Sequence, residues 1–310
     1  MKDVISVVGA GGKTTVLNLM AKNISKRSKV LLSTTTKMKL PSINEYDVLI
    51  INKDDFEKYK TYFLKYNIFM KDIEFLSSNL DFKKISIKDK IEESKEILDK
   101  KDIYKARILE KYVFLKNKTK IFKKIERKKY SFYQKKIKKF FSGLFYHKNF
   151  GIYYLLPEVS ISEVNRKFMH VKDEEILIFS HFFDYIILES DGARKKRLKL
   201  PKDHEPVISK LTTMTIAVID IKMAGQQISE ENTYNLEDFK ALLNKDVGDV
   251  LRLEDILSMI SLKGGVFKDA LGKKVLCINK VESKEDEENA EFIKSKVSNH
   301  ISTLVLRKLT

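Results

Sequence analysis

Apolar residues along the chain fall into short runs separated by helical patterns. Residues 4–8, 29–33 and 47–51 are each dominated by Val, Ile and Leu, as are 184–189, 214–220, 274–279 and 302–306. Runs of this length, apolar on successive positions, predict strands buried on both faces. Between them, apolar spacing near 3.6 residues predicts helices over 13–26, 236–244, 252–262 and 284–298. Strands alternating with helices imply an α/β domain with a mainly parallel sheet and crossover helices, a three-layer arrangement.

The pattern changes between residues 53 and 148. This stretch has only Gly143 and no proline, and it is rich in Lys, Ile, Tyr and Phe. Phe122, Ile125, Tyr133, Ile137, Phe140 and Leu144 recur at helical spacing among lysines. The stretch reads as a basic, mostly helical insertion, with residues 1–52 and 149–310 forming the α/β domain.

Charge sharpens that division. Lys plus Arg total 60 against 43 Asp plus Glu, a net charge of +17. Residues 111–150 hold fourteen Lys or Arg and one Glu, so most of the excess belongs to the insertion. Three readings of it stand: nucleic-acid binding through phosphate contact and stacking, adsorption to an anionic membrane surface, or a solvated helical lid. No apolar run reaches the roughly 20 residues needed to cross a bilayer, and nothing at the N-terminus reads as a signal peptide, so the expected location is the cytoplasm. One cysteine, Cys277, allows no internal disulfide.

Glycine is scarce, eleven against roughly 22 at average usage, and most of it lies in stretches with chemical content. In VVGAGGKTT, the backbone of Gly9, Ala10, Gly11 and Gly12 is a candidate phosphate cradle. Lys13 would reach the outer phosphates, and Thr14, followed by Thr15, would hold magnesium at a helix N-terminus. The spacing is the short G-x-x-G-K-T form, which resembles the loop of Mur-type ligases; the alternative is a plain strand–turn–helix corner. In DYIILESDGAR, a strand delivers Glu189 and Asp191 at its exit. Asp191 is the first choice for the metal and Glu189 for a supporting or base role. Thr34, Thr35, Thr36 and Lys37 leave the second strand at the same sheet edge, facing the γ-phosphate or a substrate. Arg194, His204 and Glu205 lie in a basic loop suited to an anionic substrate. Asn279-Lys280, in CINKVE, is similar to the N-K-x-D element that reads guanine, with Glu282 in the fourth place, and makes these two residues candidates for base contact.

Taken together, VVGAGGKTT, STTTKMKLP, DYIILESDGAR, LKLPKDHEPVI and GGVFKDALGKKVLCINKVE resemble the YqeC family, accessory proteins for selenium-dependent molybdenum hydroxylases also called selenium cofactor biosynthesis proteins. The resemblance implies a P-loop NTPase-like fold, an NTP (ATP or GTP) with Mg2+, and a molybdenum hydroxylase or its cofactor machinery as partner. Tyr234 and Asn235 stand where family members often carry His-Arg. The expected function is a Mg-dependent NTPase or transferase in that maturation. The alternatives are an ATP-dependent ligase or kinase of a small anionic metabolite, and a nucleic-acid-binding or scaffold protein acting through the insertion.

Overall fold

The computed structural model describes residues 3–52, 57–58, 73–76, 150–157, 159–161, 166–180, 182–192 and 196–307. The first crossover unit is β1 (Asp3–Gly9), α1 (Lys13–Ile24) and β2 (Lys29–Thr34). The chain continues through β3 (Met38–Lys39), β4 (Val48–Asn52), β5 (Ile73–Leu76), β6 (Gly151–Leu156), β7 (Val159–Ile161), β8 (Arg166–Phe168) and α2 (Asp173–Phe179). It then forms β9 (Tyr185–Glu189), β10 (Leu198–Lys199), β11 (Met214–Asp220), β12 (Thr233–Tyr234), α3 (Leu236–Leu243) and α4 (Leu253–Ser261). β13 (Lys273–Val281), α5 (Lys284–Lys296) and β14 (Ile301–Arg307) complete it.

Nine strands form one sheet in the order β14-β13-β11-β1-β9-β2-β6-β4-β5. Every paired register in that sheet is parallel. The seven predicted strands are all present. β6 was not anticipated, although GIYYLL is buried along its whole length. β5 lies inside the stretch assigned to the insertion, yet it pairs with β4 at the sheet edge, so the α/β unit also draws on residues 73–76. Apart from the helical pair 57–58, the remainder of the predicted basic helical insertion lies outside the described residues. A small antiparallel sheet, β3-β8-β7, and a two-stranded parallel pair, β10-β12, stand beside the main sheet.

Alternation along the strands separates two faces. Ile5, Val7, Val30, Leu32, Ile187 and Val218 pack with Val16, Leu17 and Ala21 of α1. Val4, Leu31, Ile186 and Leu188 pack on the other face with Ile176 and Phe179 of α2. Val8, Ala217, Ile219, Leu276 and Ile278 share that second face with Phe239, Ile256, Met259, Ala290 and Ile293 of α3, α4 and α5. The result is the expected three-layer α/β fold. No described helix is long and apolar enough to cross a membrane.

In a parallel sheet all strand C-termini lie along one edge, and ligands bind where neighbouring connections diverge. β1 stands at such a point, between β9 and β11. Its exit is confined: Gly9 has φ +97°, and a Cβ there would overlap the Val218 carbonyl. Gly9→Ala is therefore expected to cost about 3 kcal/mol in urea unfolding through strain and overpacking. Gly225, with φ +77° but open space around it, should cost only about 1 kcal/mol when replaced by Ala.

Candidate nucleotide-binding site

Between β1 and α1 the backbone divides its amides into two groups. Gly9 N–H donates to Asp191 Oδ2 at 2.9 Å and Ala10 N–H to the Val218 carbonyl at 3.0 Å. No acceptor among the described residues bonds the N–H groups of Gly11, Gly12, Lys13, Thr14 and Thr15. Gly11 and Gly12 have φ of +84° and +118°, conformations that turn the chain into the first turn of α1. The sequence reading assigned phosphate contact to all of residues 9–12. The structure commits the first two amides to bracing and leaves the next five at a twelve-residue helix's positive end, where anions bind.

The side chains around this loop are linked. Lys13 Nζ donates to the Gly9 carbonyl at 2.6 Å and lies 3.1 Å from Asp191 Oδ1. Thr14 Oγ1 donates to Glu189 Oε2 at 3.2 Å. Glu189 ends β9 opposite Val7 on one side and Thr34 on the other. Thr14 and Asp191 were expected to share a metal; the carboxylate beside the Thr14 hydroxyl is instead Glu189, while Asp191 sits behind the loop with the lysines. Burial pushes the Glu189 carboxyl above its ordinary range; Lys13 opposes this, Asp191 adds to it, and the Thr14 bond and Lys199 oppose it.

Lys199, Glu205 and Tyr234 extend this linkage. Lys199 Nζ lies 2.7 Å from Asp191 Oδ2 and 3.3 Å from Glu205 Oε2, and it also donates to the Gly192 carbonyl. Tyr234 OH donates to Glu205 Oε1 at 3.1 Å. Pairing of β10 with β12 sets Lys199 opposite Tyr234. The sequence reading missed Lys199; two buried lysines converging on one aspartate are visible only in three dimensions.

The other candidates sort differently. Thr34 and Thr35 are buried and donate their hydroxyls to the carbonyls of Glu189 and Val207, and Thr36 N–H bonds Thr34 Oγ1 at 3.1 Å. These residues brace β2 against β9, leaving exposed Lys37 nearest solvent. His204 is exposed and Glu205 buried, so the neighbours point apart. Arg194 lies outside the described residues. Two described cations of the basic loop are engaged internally: Lys196 donates to the carbonyls of Glu230 and Thr233, and Arg197 Nε lies 3.2 Å from Asp220 Oδ2. Asn279 Nδ2 donates to the Gly11 carbonyl at 2.8 Å, filling the space a Cβ on Gly12 would need. Lys280 Nζ lies 2.6 Å from the fully buried Asp220. Among the described residues no group of three His, Cys, Asp or Glu side chains could hold a metal unaided.

The loop, the strand-exit carboxylates and the Lys199–Pro206 segment all lie within the match to a family model described as YqeC protein, over residues 5–237. The chain belongs to the YqeC family. The match ends before β13, so Asn279 and Lys280 are outside it. The Escherichia coli (strain K12) protein named "Uncharacterized protein YqeC" is 33% identical over 86 residues, 28% of this chain and 34% of that protein. The chain thus aligns with about a third of that YqeC protein's length. No solved structure matches this chain.

A carboxyl whose folded-state pKa is raised weakens the fold when it ionises. Glu189 should therefore cost stability progressively as pH rises from the unfolded carboxyl range through its own raised value, the cost levelling off above it. Urea unfolding across pH 4 to 8 should show this decline relative to Glu189→Gln, which retains an acceptor for Thr14 but does not ionise.

Proposed function

We propose that this chain binds the polyphosphate of an NTP, ATP or GTP, together with Mg2+, and hydrolyses it or transfers a group from it. The observation that carries this reading is the run of five unbonded amides at the start of α1, with Lys13, Thr14 and Glu189 beside it. A curved row of N–H donors at a helix N-terminus favours an anion, and glycine at 11 and 12 keeps its approach free of side chains. Thr14 and Glu189 fit a Mg2+ ion, which commonly takes one or two protein oxygens and completes its shell with phosphate and water. When bound, the ion would neutralise charge on the phosphate oxygens.

The chain's own groups then have distinct roles. Residues 11–15 hold phosphate through main-chain donors. Lys13 leaves the Gly9 carbonyl for the outer phosphates. Glu189, hydrogen-bonded to Thr14, would hold the metal's shell from the end of β9. Asn279 fixes the rim of the loop, and Lys280, paired with Asp220, is the candidate for base contact. We further propose, from what the resemblance implies, a role in maturing a selenium-dependent molybdenum hydroxylase, with that enzyme or its cofactor machinery as the partner.

Calorimetry with ATP and GTP, each with and without Mg2+, tests the reading. Lys13→Ala should weaken binding of the preferred nucleotide by about 100-fold, the loss of a charge-assisted contact made by a buried lysine. Glu189→Gln should retain metal-free binding and lose the added affinity from Mg2+. Unchanged affinity in Lys13→Ala would refute the proposal.

A further inference from the structure

Asp191 is 2% exposed and faces two lysines that are themselves buried, Lys13 at 6% and Lys199 at 2%. Its Oδ1 faces Lys13 and its Oδ2 faces Lys199 and the Gly9 amide. Such an arrangement is costly unless every charge keeps a partner. A Lys13 that reaches for phosphate must give up Asp191, and an aspartate left alone in this interior would repel the incoming anion. Lys199 answers both requirements. It contacts Asp191 through the other oxygen, and its own position is held by Glu205, the Gly192 carbonyl and, 5.0 Å away, the Tyr234 ring.

We propose that Asp191 and Lys199 form a charge-exchange switch for Lys13. Asp191 holds the loop lysine back, an entering polyphosphate takes the lysine from it, and Lys199 keeps Asp191 compensated after the exchange. The proposal rests on the nucleotide reading above. It makes Asp191 an antagonist of phosphate binding rather than a metal ligand, and Lys199 a positioning residue that lowers the cost of releasing Lys13. The exchange alters the load on Lys199, and through it Glu205 and Tyr234, so nucleotide occupancy is transmitted to the β10-β12 pair. Tyr234, bonded to Glu205, then tunes the switch rather than touching the substrate.

The test is a double-mutant cycle read as dissociation constants for ATP and GTP in magnesium-free buffer, with thermal melting to confirm folding. Asp191→Asn keeps an oxygen for the Gly9 amide and removes the charge. It should tighten binding at least about fivefold, because one repulsive and competing charge is gone. Lys199→Met should weaken binding at least about fivefold in the wild-type background, yet by less than about twofold in Asp191→Asn, since without the Asp191 charge Lys199 no longer affects the release of Lys13. Asp191→Asn that folds and binds no more tightly than wild type would overturn the switch, as would an undiminished effect of Lys199→Met in the double variant. If Asp191→Asn does not fold, Lys199→Met alone decides: weaker binding supports the switch and unchanged binding overturns it. If wild type binds neither nucleotide above the level of Lys13→Ala, the nucleotide reading falls and the switch with it, an outcome distinct from normal wild-type binding with a failed cycle.

Discussion

The exit of β1 is the constraint on which the rest depends. Within seven residues the chain must leave a strand buried from Val4 to Gly9, turn, and begin a helix. Two amides are consumed at once, by Asp191 and by the neighbouring strand's Val218 carbonyl. That locks the start of the loop to β9 and β11, the two strands flanking β1. The following five then have no acceptor among the described residues, and their direction is set by left-handed glycines at 11 and 12. A buried donor without a partner costs roughly 1–3 kcal/mol. At this rim such donors are supportable because water or an anion can reach them.

Everything else at the sheet edge is arranged around that turn. Thr34 and Thr35 hold β2 to the end of β9, so Glu189 meets Thr14 from a fixed height. Asn279 reaches from β13 to the Gly11 carbonyl, and Asp220 gathers Lys280 and Arg197 beneath it. Thr34 and Thr35, expected to face a substrate, therefore spend their hydroxyls on bracing.

Much of this was legible in the sequence, for physical reasons. Strands buried on both faces are continuous apolar runs, so β1, β2, β9, β11 and β13 announced themselves. Glycine concentrated at 9, 11 and 12, in a chain that otherwise avoids it, marked the turn. Other features are hidden from a linear reading. β6 follows a long basic stretch, and β5 lies inside that stretch, so neither stood out from texture. The choice between Glu189 and Asp191 depends on which carboxylate projects toward α1, and a two-residue difference on a strand exit does not reveal it. Lys199 lies eight residues from Asp191 in a loop crowded with lysines, and only the pairing of β10 with β12 singles it out.

The central claim is that five consecutive amides are reserved for phosphate, and amide hydrogen exchange reads them one by one. With saturating ATP or GTP and Mg2+, exchange at residues 11–15 should slow by at least about tenfold, as expected for donors newly bonded. Gly9 and Ala10, already bonded, should be slow from the start and change little. Unaltered exchange at 11–15 under conditions where calorimetry shows the nucleotide bound would contradict the account.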